Sequence, residues 1–336
     1  MFTSTTDGCV GGAVRVEWDM DISRRSFLKY CGLSAAAIGL DPFDLGLLRR
    51  ALANPTAPPV IWLHGSSCTG CSVSFLNRIS ETPGEPATVA DVLTGAVNLV
   101  FHATLMASAG DSAIAELNRA YNAGGYVLVC EGGVPTAFNG APCIVYSYDG
   151  REVTYMEAVQ RFAARAAFVV SVGTCASFGG IPASGSNPTG VVSVQKLTGR
   201  PVVNISGCPA NPDWVVWAIV QILLGRPIEL DDNGRPVELY RKTLAGGVAP
   251  ALIHDKCPRN KYVNPSAPAE ATSFSDCDGR CLIQLGCRGP STKARCEACW
   301  NGIAGQGRWC IGVNAPCHGC VEPTFPGPES FFEPYA

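Results

Sequence analysis

Charge is scarce in this chain. Lys, Arg, Asp and Glu make up 16% of its 336 residues, and the formal net charge is −3. No basic run offers a track for nucleic acid, and no acidic tail suggests a solvating segment. After residue 54 there is no run of the roughly 18 consecutive apolar residues that a membrane span requires. A membrane-anchoring C-terminal helix is therefore not expected. Apolar side chains, at 47%, are abundant enough for a sizeable core. A chain so apolar and so weakly charged is not a disordered one. The other abundant residue is cysteine, with 17. Each is a buried small hydrophobe, half a disulfide, a nucleophile or a metal ligand.

The N-terminal region bears on that choice. Ser23-Arg24-Arg25-Ser26-Phe27-Leu28-Lys29 forms a twin-arginine box, and a mildly apolar stretch runs from Tyr30 to Leu40. Ala51-Leu52-Ala53 supplies a small-residue cleavage site. This is the layout of a bacterial export signal, so residues 1–53 are read as a signal peptide. The apolar stretch is too short to cross a bilayer, and Asp41 and Asp44 interrupt the residues after it. The twin-arginine route resembles one that carries folded proteins, which lets a cofactor be inserted before export. Exported cysteines normally pair, but here they can be metal ligands loaded in the cytoplasm.

Residues 54–235 read as alternating strands and helices. Strands are expected at Val60–His64, Val97–Phe101, Tyr126–Val129, Phe168–Val172 and Pro201–Ile205. Helices are expected at Ser72–Ile79, Asp111–Asn122 (with Asp111 as N-cap), Glu157–Ala167 and Asp213–Leu224. Continuous apolar strands separated by helices indicate an α/β fold with a parallel sheet covered on both faces. Such sheets place ligands beyond the carboxyl ends of their strands. Residues 236–336 have little periodicity and are rich in Pro, Gly, Asn and Cys. Nine of the 17 cysteines lie from Cys257 onward. A segment that long and irregular needs staples, which metal clusters supply.

The cysteines fall into three sets. Cys68-x-x-Cys71 comes after the first strand, Cys175 after the fourth and Cys208 after the fifth, so all four sit at one end of the sheet. Four converging thiolates suit a [4Fe–4S] cube or a tetrahedral zinc. His254-x-x-Cys257 with Cys281 and Cys287 makes a second set of one imidazole and three thiols. Cys296, Cys310, Cys317 and Cys320 make a third, and its closing run ends on Pro323. Zinc fits any one set, whereas three sets in one exported chain suggest a wire. His318 reads as a solvated loop residue, and Cys130 as core.

These residues resemble the small subunit of nickel–iron hydrogenases. The matching stretches are Val60–Leu76, Glu131–Thr136, Val172–Ala183, Asn204–Trp214, Ile253–Arg259, Gly279–Pro290 and Ala315–Pro323. The resemblance implies a flavodoxin-like parallel sheet domain followed by an irregular iron–sulfur cluster-binding domain. It implies a proximal cluster on Cys68, Cys71, Cys175 and Cys208, and a distal cluster on His254, Cys257, Cys281 and Cys287. It implies medial ligands Cys296, Cys317 and Cys320. The family's usual medial cluster resembles [3Fe–4S], with a proline near the place of a fourth ligand. Cys310 stands there, so a medial [4Fe–4S] cluster is expected, as in the nickel–iron–selenium branch. Two further cysteines of oxygen-tolerant members are replaced by Gly70 and Gly180. The implied partners are a large subunit with the nickel–iron site and a redox carrier such as a periplasmic c-type cytochrome. Lys256, Arg259, Lys261 and Arg288 surround the expected exit to that carrier, and Glu131 matches a family glutamate near the contact between the two subunits. Cys9, Cys31, Cys143, Cys277 and Cys299 are left as bystanders. Two other classes remain open: a cytoplasmic hydrogenase or respiratory-complex relative, and a disulfide- or zinc-stapled binding protein.

Overall fold

The computed structural model describes residues 59–79, 89, 98–240, 252–277, 279–296 and 309–327. The export signal, Cys9, Cys31 and Cys299 lie outside these. Five strands form one sheet: β1 Pro59–His64, β2 Asn98–His102, β3 Val127–Glu131, β4 Phe168–Val172 and β5 Val203–Ile205. Their order is β2-β1-β3-β4-β5, and every pairing is parallel. This is the doubly wound, flavodoxin-like order.

The strands are mostly apolar because both faces are covered, with polar residues such as His64, His102 and Glu131 at their carboxyl ends. Val60, Trp62, Val127, Val129, Val170 and Val172 face one side, and Ile61, Leu63, Leu128, Cys130 and Val169 the other. Helices α1 Gly70–Leu76, α2 Gly110–Ala123, α3 Tyr155–Ala163, α4 Thr174–Phe178, α5 Val194–Thr198 and α6 Pro212–Leu223 connect or flank the strands. Ile114 and Leu117 of α2 and Val159 and Phe162 of α3 pack on the second face. Trp214 and Trp217 of α6 pack on the first, and Ile253, Leu282, Leu285 and Val321 of the C-terminal segment join them. Between residues 236 and 327 the described helices are single turns, as the loss of periodicity implied.

Several boundaries differ from the sequence reading. Asp111 is not the cap of α2. Ala109 holds that place without a side-chain bond, and Asp111 lies in the first turn, where its charge meets the helix dipole. Helix α3 begins earlier because Thr154 caps it, its Oγ1 accepting from Glu157 N at 3.1 Å. It also ends earlier, since by Ala167 the amide already bonds Tyr126 O at 2.8 Å on the way into β4. Strand β5 omits Pro201, which has no N–H for the ladder.

The register sets the site. His64 lies opposite Glu131, Glu131 opposite Val172, and Val172 opposite Ile205. Four strands therefore end level, and the loops beyond them open at the same edge.

Candidate metal centres

Cys68 and Cys71 come after β1, with Cys71 in the first turn of α1. Cys175 lies in the first turn of α4, and Cys208 comes after β5. The level strand ends bring these four thiols together. Burial raises the Cys71 thiol, and charge on Cys175 or Cys208 raises it further. Burial likewise lifts Cys175 to about 12, with Cys208 and Cys68 adding to the effect. Cys208 is raised by burial and by Cys68. Nucleophilic or disulfide-exchanging cysteines have lowered pKa values. Thiols raised this way, like the core thiol of Cys130, ionise only where a cation compensates the charge.

The space between them is kept open by glycine. A Cβ on Gly173 (φ 91°) would stand 2.5 Å from Cys71 Sγ, and one on Gly180 (φ 53°) would stand 3.1 Å from Cys175 Sγ. Gly70 abuts Cys68 Sγ in the same way, at 3.0 Å. Gly70 and Gly180, the two positions singled out in the sequence, thus border this thiol set.

Glu131, at the end of β3, anchors the first ligand loop. Its carboxylate accepts from Cys71 N at 3.1 Å, Ser72 N at 3.2 Å, Ser72 Oγ at 2.5 Å and Trp62 Nε1 at 3.1 Å. His64 Nε2 lies 3.2 Å away. Burial pushes the carboxyl upward, but the bonds from His64 and Ser72 and the charge of His64 outweigh it, so Glu131 sits below its usual range. His102 donates Nε2–H to Ser72 Oγ at 3.1 Å, while its Nδ1 accepts from Thr104 N at 3.2 Å. The glutamate's motif was visible in the sequence; its grip on the ligand helix was not.

Cys296, Cys310, Cys317 and Cys320 line one cavity of about 280 Å³, together with Thr292, Trp309, His318 and Phe325. Burial raises Cys317 and Cys320, and charge on Cys310 adds to both. Cys310 therefore lies within electrostatic reach of the other three-cysteine set. His318 departs from the sequence reading: it is half-buried on this cavity, not solvated. His254, Cys257, Cys281 and Cys287 line a second pocket with Arg259, Leu282 and Ile311. It is drawn in to about 10 Å³, so the donor set, not the volume, makes it a candidate. Among the described residues no three His, Cys, Asp or Glu close on one point as a single metal ion requires. A cube, with its irons spread around a volume, takes ligands that stand further apart.

Two of the four basic residues expected at an electron exit serve packing instead. Arg259 is buried, donating to Cys277 O at 3.2 Å, Arg280 O at 3.0 Å and Ile311 O at 2.9 Å. Arg288, also buried, donates to Pro326 O at 2.8 Å. Irregular backbone leaves carbonyls unpaired, and these guanidinium groups satisfy them. Lys256 is half-buried, and Lys261 is exposed. Cys130 is fully buried core, Cys143 is half-buried, and Cys277 is buried with its thiol donating to Phe274 O. Among the described residues, the fourteen cysteines form no disulfide.

Known proteins are similar to this chain in sequence and fold. The family model described as "NADH ubiquinone oxidoreductase, 20 Kd subunit" matches residues 68–222. The model for the C-terminal part of the "NiFe/NiFeSe hydrogenase small subunit" matches residues 250–333. The periplasmic [NiFeSe] hydrogenase small subunit of Desulfomicrobium baculatum is 38% identical over 337 residues, spanning 93% of this chain and 99% of that one. The chain belongs to the nickel–iron hydrogenase small-subunit family. The periplasmic [NiFe] hydrogenase small subunit of Solidesulfovibrio fructosivorans is 35% identical over 90% of each chain. The recombinant [NiFeSe] hydrogenase of Desulfovibrio vulgaris Hildenborough superimposes with a TM-score of 0.71 at 36% identity, spanning 84% of this small subunit and 99% of that chain. As a hydrogenase small subunit, the chain is the iron–sulfur, electron-transferring partner of a large subunit in an oxidoreductase.

Proposed function

We propose that this small subunit serves a periplasmic, uptake-type hydrogenase. It passes electrons between the large subunit's nickel–iron site and an external carrier, in the reaction H2 = 2 H+ + 2 e−. Three clusters would be held by this chain: Cys68, Cys71, Cys175 and Cys208 at the proximal place; Cys296, Cys310, Cys317 and Cys320 at the medial place; His254, Cys257, Cys281 and Cys287 at the distal place. When bound, each supplies one-electron redox chemistry.

The observation that carries this reading is the adjacency of the three sets along the chain's own hydrogen bonds. Cys208 lines the same cavity as Cys320, the hydroxyl of Thr174 beside Cys175 donates to Cys320 O, and Cys317 N donates to Cys287 Sγ at 3.3 Å. Each set thus lies against the next through its own loop residues. The protein supplies position, water exclusion and donors to sulfur, as at Ala210 N and Cys71 Sγ, 3.4 Å apart. The twin-arginine signal and the name "periplasmic" borne by two relatives support export of a loaded, folded complex. A c-type cytochrome meeting the distal set beside Lys261 and the almost fully exposed Tyr262 is the carrier proposed.

Cys310 makes the medial cluster [4Fe–4S]. Its place on the medial cavity and the likeness to a [NiFeSe] small subunit support this. We expect electron-spin resonance of fresh, oxidised complex to show no strong [3Fe–4S] signal, and Cys310→Pro to create one. A strong signal in the wild type would overturn the assignment.

A further inference from the structure

Proximal and medial sets come from opposite ends of the sequence, so something must register one against the other. Thr174 stands between them. It precedes the proximal ligand Cys175 and is buried, at 1% exposure. Its amide donates to Gly207 O at 2.9 Å. Its hydroxyl accepts from Gly207 N at 2.8 Å and donates to the carbonyl of Cys320. An amide must donate and a carbonyl must accept, so both roles of the hydroxyl are fixed. Gly207 precedes the proximal ligand Cys208, and Cys320 is a medial ligand. One hydroxyl therefore touches the ligand loops of both sets.

The surroundings hold the same junction from the far side. Ser206 Oγ donates to Val321 O at 2.8 Å, and the fully buried Arg235 donates to Val321 O at 3.1 Å while lying 3.3 Å from Glu322. Those contacts fix the chain after Cys320. Thr174 fixes Cys320 itself against Cys175 and Cys208.

We propose that Thr174 is a positioning residue that sets the coupling between the proximal and medial sets. This rests on the cluster reading above. No bond or proton changes hands: one electron leaves one set and arrives at the other, and the hydroxyl holds the two at a fixed separation. Electron transfer weakens as its two partners move apart, so loss of a latch this close should be felt.

The test uses the natively purified heterodimer carrying Thr174→Val, which keeps the volume and loses both bonds, and Thr174→Ser, which keeps both. Iron and labile sulfide, the magnetic interaction between reduced proximal and medial clusters, and hydrogen-dependent dye reduction are measured. Hydrogen–deuterium exchange, which needs the large subunit alone, is the control. We expect the valine variant to keep its iron and its isotope exchange. Its magnetic interaction should change and its dye reduction fall below that of the wild type, with serine restoring both. An unchanged interaction and rate in the valine variant, or a serine variant no better than valine, overturns the inference. Where the valine variant assembles short of iron, Thr174→Ala, which leaves room for a bridging water, decides by the same spectrum. Wild-type complex without iron and labile sulfide would sink the cluster reading instead.

Discussion

Glu131 shows how much one buried carboxylate does here. It satisfies the amides of Cys71 and Ser72 at the start of α1, where the helix has no earlier carbonyls to use. A buried N–H left without a partner costs about 1–3 kcal/mol. Glu131→Ala strands two of them, so we expect it to destabilise the complex by about 2–6 kcal/mol. Glu131→Gln, which keeps an acceptor oxygen, should cost less, and calorimetric melting of the two variants checks the order. The neighbouring His102 gives a pH dependence. Burial first, then the nearby His64, lowers it from 6.5 to about 4. The unfolded chain therefore binds a proton before the folded one does. Its contribution to stability is complete above about 6.5 and is lost as pH falls toward about 4. The melting temperature of the complex should drop across that window, and a rise there would contradict the assignment. None of this network could be read from the sequence, because residues 62, 64, 72, 102 and 131 meet only once the strand register is set.

At the scale of elements, the sheet was legible and the cysteine-rich segment was not. Val60–Leu63 and Phe168–Val170 are continuous apolar runs, as two-sided burial requires, and both strands fall where the pattern puts them. The loops carrying Cys68, Cys175 and Cys208 were legible too, since each comes just after a strand. Arg259 and Arg288 look like solvated charges in sequence because nothing local shows the carbonyls they serve. Thr174 was hidden for the same reason. Tight glycine turns complete the ligand loops, and Gly173 is the sharpest case. At φ 91° with its Cβ position 2.5 Å from Cys71 Sγ, it has neither the backbone freedom nor the room for a side chain. Gly173→Ala should abolish loading of the proximal set while leaving the other two. Iron analysis would then show the loss of one cluster, and full iron content in that variant would contradict the site.

Across the whole molecule, one sheet edge and one irregular segment share a core. The apolar residues of the segment pack on the face that carries α6. Cys208 lines the medial cavity, and Cys317 reaches the distal thiol Cys287. Packing thus places the three cysteine sets side by side in the order the proposed relay needs. The central claim is that electrons from hydrogen enter this chain. Its direct test is to admit hydrogen to oxidised, anaerobically purified heterodimer and follow the iron–sulfur absorption. The account expects rapid bleaching, with electron uptake matching three one-electron clusters. Absorption that stays unchanged in a complex with intact iron and active isotope exchange would mean that this chain does not carry the electrons.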